Sequence, residues 1–230
     1  MRIRQFIDYT CNGYAYIVDD ESTRDAFIID PTANDLDKYL QFIKELNLNL
    51  KYSFETHVHA DHITGAGDLR KALGCECLVG EYAKCTNYDG VFHHGDNFLI
   101  GNINLQVIYT PGHTSDSYCF YVKEYGCLFS GDTLLIRGCG RTDFQNGEAT
   151  ELYKSVTEQL FLLPSDTIIY PGHDYNGRTQ STIHEEKLFN SRLANKTLEE
   201  YCQIMDNLNL PKPKLIDIAV PANRKCGIME

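Results

Sequence analysis

The stretch "ETHVHADHITGAG", Glu55 to Gly67, sets His57, His59, Asp61 and His62 within six positions of a chain that has only eight histidines. A solvated loop has no need of such a cluster, and a packed core does not tolerate one unpaired. Histidine and carboxylate are usual protein ligands of zinc, iron and manganese. The cluster therefore reads as part of a metal site, and the question is what the rest of the chain brings to the same point.

Working outward, strand-like runs alternate with polar turns and helical stretches. "DAFIIDPT" reads as a strand ending at Asp30-Pro31, and "NDLDKYLQFIKELNL" puts Leu36, Tyr39, Leu40, Ile43 and Leu46 on one helical face. "LKYSFET" is the next strand and runs straight into His57, and "DHITGAGDLRKALG" reads as a helix closed by Gly74. Further on, "INLQVIYT" leads into "PGHTSDS" with His113, "SYCFYVKEYGCLFSGDT" reads as a strand pair ending at Asp132, and "DTIIYPGHD" ends at His173. "TELYKSVTEQLFLL" and "TIHEEKLFNSRLANK" read as helices. The class is α/β or α+β, with two sheets between helical layers. One domain over residues 1–230 is expected, its metal site at the sheet edge between the two halves.

Taken singly, a His after Pro-Gly or a Gly-Asp-Thr is ordinarily a turn or a helix cap. The metal reading rests on recurrence: His113, Asp132 and His173 each follow a strand, as the first cluster does, and strand ends are where loops converge on a rigid scaffold. His93-His94 precede a Gly-Asp turn and read as solvated or locally hydrogen-bonded. His184 lies beside Glu185 and Glu186 on a helix, where an ion pair is sufficient explanation.

Composition narrows the class. With 21 Lys+Arg against 32 Asp+Glu the net charge is -11, and no basic run offsets it, which argues against nucleic-acid binding. No apolar run is long enough to span a bilayer. The start, "MRIRQFIDYTCNG", lacks the apolar segment of a secretory signal, so a cytoplasmic chain is expected, or an organellar one if a transit segment has been removed. The nine cysteines are odd in number and include no C-x-x-C pair, so neither a disulfide framework nor a zinc ribbon is expected.

The T-H-x-H-x-D-H signature, followed by separated His, Asp and His, resembles the metallo-β-lactamase fold superfamily over essentially the whole chain. That resemblance implies a four-layer αββα sandwich with metal at one edge, but a fold shared by hydrolases, nucleases and oxygen-handling enzymes does not give the reaction. Finer segments narrow it. "LLIRGCGRTDFQNG" (Leu134 to Gly147), "YPGHDYNGRTQSTIHEEK" and "LPKPKLIDIAVPANRKCG" resemble glutathione-dependent persulfide dioxygenases. A glyoxalase II-like hydrolase of glutathione thioesters, using two metals, is the alternative. It is expected to carry a longer C-terminal helical region, whereas this chain ends soon after "VPANRKCG". A non-catalytic sulfur sensor or scaffold is a third reading, and it predicts damaged ligands where all seven positions here are intact.

The dioxygenase resemblance implies one Fe(II) per chain, held by His57, His113 and Asp132. A facial set of two histidines and one carboxylate leaves open positions for a sulfur donor and O2. His59, Asp61, His62 and His173 are then expected to orient those ligands through hydrogen bonds, or else to form a second metal site. Arg141 and Tyr175 match positions implicated in binding glutathione or placing its sulfur, and Arg192 is a further candidate. Arg141 also has a carboxylate, Asp143, with which to pair. Cys139 reads as a buried, inert thiol. The partners implied are glutathione persulfide and O2, with no nucleic acid, no membrane, and a homodimer by resemblance alone.

Overall fold

The structure, a computed structural model, describes residues 1–228. Two six-stranded sheets face each other. The first is β1 (Arg2–Asp8), β2 (Gly13–Asp19), β3 (Asp25–Ile29), β4 (Asn49–Phe54), β5 (Glu76–Gly80) and β6 (Gly90–Phe92), in that order. The second runs from β12 (Ser181–Thr182) through β11 (Ile168–Pro171), β10 (Cys127–Gly131), β9 (Tyr118–Val122) and β8 (Ile103–Tyr109) to β7 (Asn97–Ile100). β3 to β6 are parallel neighbours, as are β10 and β11, and the remaining pairs are antiparallel.

Strand parity builds the layers. In β2, Tyr14, Tyr16 and Val18 point into the core between the sheets, while Ala15 and Ile17 face outward under helices. In β9, Tyr118, Phe120 and Val122 join the same central core, and Cys119 and Tyr121 face the other way. Both faces of β2 and of β9 are buried, because side chains two apart share a face and these central strands are covered on both sides. Outside the first sheet lie α1 (Leu36–Glu45) and α2 (Ala66–Leu73), through Tyr39, Ile43 and Leu69. Outside the second lie α3 (Ala149–Lys154), α4 (Ile183–Phe189) and α5 (Leu198–Asp206), through Leu152, Ile183, Tyr201 and Met205. A last helix, α6 (Ile216–Asn223), packs Val220 beside Val58 and Val79.

Two helices are shorter than the sequence pattern suggests. α2 begins only at Ala66, because Thr64 bridges Thr32 and Gly65 closes on the Thr32 backbone, leaving Asp61 to Thr64 in a loop. α4 stops at Phe189, where the Asn190 side chain accepts from the Arg192 and Leu193 amides and turns the chain. Glu185 and Glu186 pair with Arg137 rather than with His184. His93 bonds Asp96 and His94 accepts from the Tyr109 amide, away from the central cluster. All nine cysteines are free.

Candidate metal centre

Four strand ends deliver the ligand candidates. The loop after β4 carries His57 to His62, the loop after β8 carries His113, and Asp132 and His173 follow β10 and β11. One ligand atom from each of His57, His113 and Asp132 lies within 4.8 Å of the others. Asp132 is brought there by Gly131, which turns at φ 49; a Cβ at that position would stand 2.7 Å from Thr56 Oγ1.

The tautomers suit metal binding. His113 Nδ1 lies 2.6 Å from the Arg141 carbonyl, which only accepts, so Nδ1 carries a hydrogen and Nε2 is the nitrogen left to take a metal. The His57 tautomer is set through two residues. Thr56 Oγ1 donates to Asp30 Oδ2 at 2.8 Å, and the Thr56 amide donates to Asp30 Oδ1. With its proton committed, that hydroxyl accepts from His57 Nδ1 at 3.0 Å and frees His57 Nε2. Burial, reinforced by the nearby His59 and His113, holds the His57 ring neutral, well below the usual range for charging. Burial works against ionisation of Asp132, but the His173 ring outweighs it and keeps the carboxylate charged. Two imidazoles, each anchored at Nδ1, and a carboxylate fit a divalent transition metal.

The other candidates form a ring around these three. His173 donates from Nδ1 to Asp132 Oδ1 at 2.7 Å and from Nε2 to Asp61 Oδ2 at 2.9 Å. Asp61 also accepts from His62 Nδ1 at 3.2 Å. His59 Nε2 is 3.1 Å from Asp30 Oδ1, but its alignment is poor and both its nitrogens remain without a hydrogen bond in a buried site. Glu55 lies beside it, its carboxyl pushed well above the usual range by burial and by Asp30.

A cavity of ≈740 Å³ opens on His57, His113 and Asp132. Tyr175 lies at its edge, 69% exposed, with its ring stacked on His173 at 6.1 Å. Arg192 lines it and donates to the Cys139 carbonyl. Arg141 also lines it, but most of its donors are engaged. Nε and Nη2 bind both Asp143 oxygens, and Nη1 and Nη2 reach the Pro211 and Leu210 carbonyls. Cys139 is buried against Tyr201.

Three residues escaped the sequence reading. Asp30 was placed only at a strand end, although that position is the one every ligand shares. Asn223 holds the first loop from the far end of the chain, donating to the His59 and His62 carbonyls and accepting from the Thr64 amide. Nothing local marks it. Cys11, in the turn between β1 and β2, also lines the cavity and had no motif to announce it. Among the described residues, no helix is long and apolar enough to cross a membrane.

Comparison with known proteins agrees with this geometry. The family described as the metallo-beta-lactamase superfamily matches residues 8–76 and 78–173. The mitochondrial persulfide dioxygenase ETHE1 of Mus musculus is 46% identical over 227 residues, covering 98% of this chain and 89% of that protein. The Homo sapiens counterpart is 45% identical with the same coverage. The crystal structure of ETHE1 from Myxococcus xanthus superimposes with a TM-score of 0.96 at 49% identity, covering 99% of this chain and 100% of that one.

Proposed function

The chain belongs to the metallo-beta-lactamase superfamily and, within it, to the persulfide dioxygenases; on that premise we propose that it oxidises glutathione persulfide at a single Fe(II) held by His57, His113 and Asp132. The overall reaction takes the persulfide, O2 and water to glutathione, sulfite and two protons. A bound iron(II) supplies the one-electron chemistry that O2 needs to react with closed-shell sulfur.

The observation that carries the single-ion reading is the disposition of His173. Both of its ring nitrogens lie against carboxylates, so His173 and Asp61 bond each other and Asp132, although Asp61 also stands with His59 and His62, and with Cys11 and His173, in groups close enough to hold an ion. A glyoxalase II-like pair of metals would require those same atoms as ligands. His173 and Asp61 instead steady the Asp132 carboxylate, and Thr56 and the Arg141 carbonyl steady the two histidines.

The single carboxylate in the set leaves a divalent ion partly unbalanced, which favours an anionic sulfur donor. Tyr175, Arg141 and Arg192 line the approach. In this reading Arg192 and Tyr175 bind the tripeptide, and Arg141 holds the segment that roofs the cavity against it. The test is oxygen uptake by protein reconstituted with Fe(II) under argon and given glutathione persulfide. Uptake matched by sulfite, and lost in His113→Ala, is the expected result. Verified iron-loaded protein that takes up no oxygen would sink the reading.

A further inference from the structure

Cys11 stands apart from the other thiols. Cys11, Cys85 and Cys202 are the half-buried ones, and of all nine only Cys11 and Cys139 line the cavity. Cys139 is committed to the core, its sulfur 3.3 Å from the Tyr201 hydroxyl. Cys11 is held instead against the His173 loop, where Gly13 bridges His173 and the Asp174 amide donates to the Asn12 carbonyl. A Cβ on Gly13 would lie 3.0 Å from the Cys11 sulfur and 3.3 Å from His173 Nε2, so glycine is what lets thiol and imidazole approach. The Cys11 sulfur, an Asp61 oxygen and a His173 nitrogen fall within 4.8 Å of one another.

A second observation points to what the thiol does. His62 is 3% exposed, and its Nδ1 must donate to Asp61 Oδ2, which as a carboxylate only accepts. That leaves Nε2 buried without a hydrogen-bond partner, beside the same Asp61 carboxylate that the Cys11 sulfur approaches. Carboxylate, imidazole and thiol thus stand in the order in which an oriented base activates a nucleophile. The dioxygenase site uses Asp61 through His173 and gives no role to His62 or Cys11.

We propose that Cys11 accepts the outer sulfur of a persulfide held in the cavity, becoming a cysteine persulfide and releasing the carrier thiol. The proposal rests on the reading of the cavity as a persulfide site. The thiol proton resides on His62 Nε2, and the Cys11 sulfur uses its electron pair to form a new S–S bond to the outer sulfur. The S–S bond of the persulfide breaks, its pair leaves on the carrier thiolate, and that thiolate takes the proton from His62. No oxidant is consumed, and the sulfur moves without a change of oxidation state.

The iron-loaded protein is incubated under argon with glutathione persulfide, alkylated, digested and examined by mass spectrometry. One extra sulfur, removable by a dithiol, is expected on the Cys11 peptide well above Cys85 and Cys202. His62→Gln is expected to slow its appearance by about a hundredfold, the contribution of a positioned base. Equal labelling of the three half-buried thiols, a glutathionyl mass on Cys11, or an unchanged rate in a folded His62→Gln would each overturn the proposal. If that variant does not fold, the comparison among wild-type thiols still decides. Oxygen uptake by the same preparation is read separately. Uptake without the Cys11 adduct removes this proposal alone, and adduct without uptake removes the dioxygenase reading alone.

Discussion

At the scale of single residues, the centre depends on side chains that never face the cavity. Asp30 fixes the Thr56 hydroxyl, and the hydroxyl fixes the His57 tautomer. Thr56→Val keeps the shape and removes both hydrogen bonds. It should lower iron affinity by about 10- to 100-fold in chelator competition, whereas Thr56→Ser should restore most of it. Equal affinity in Val and Ser variants would remove the relay. His62 offers a test by pH. Burial lowers its pKa, but Asp61 outweighs burial and raises it from 6.5 to about 10. A pKa raised on folding gives stability that is complete below the unfolded value and lost as pH rises through the folded one. Metal-free protein should therefore lose melting temperature between pH 6.5 and about 10, and His62→Gln should flatten that slope. Parallel slopes in the two proteins would contradict it.

Elements set these residues by where strands stop. β4, β8, β10 and β11 each end at the same rim, and the next residues carry the candidate ligands. The strand-like runs made this legible, because "LKYSFET" and "DTIIYPGHD" read as strands that run straight into polar loops. Helix limits were less legible, since Thr64 bridging Thr32 cut α2 short and no periodicity records that contact. The segment between α5 and α6 is likewise positioned by contacts, with Arg141 bonding the Leu210 and Pro211 carbonyls while gripping Asp143. Lysine cannot reproduce this fork. Arg141→Lys should raise KM for glutathione persulfide roughly tenfold, about one charge-assisted hydrogen bond, with kcat within about twofold. Steady-state oxygen uptake separates the two, and a fall in kcat alone would place Arg141 at the chemistry instead.

Across the whole molecule, the first ligand loop is tied to the last helix. Asn223 makes three hydrogen bonds to backbone groups of His59, His62 and Thr64, all in a buried setting. Asn223→Ala leaves those groups unpaired and should cost on the order of 3 kcal/mol. Urea unfolding should show a lower midpoint with an unchanged m-value, and iron content should fall as the loop loosens. An unchanged midpoint would mean that water replaces the amide. The sequence by itself determined the layered α and β pattern, the strand-end placement of His57, His113, Asp132 and His173, and the family, because periodicity and motif spacing are local properties. Tertiary structure alone decided that His173 and Asp61 close on each other, that Arg141 holds a roof, and that Asn223 and Cys11 reach the centre. Those facts are hydrogen bonds and close approaches between residues far apart in the chain, and they exist only once two sheets bring their ends together.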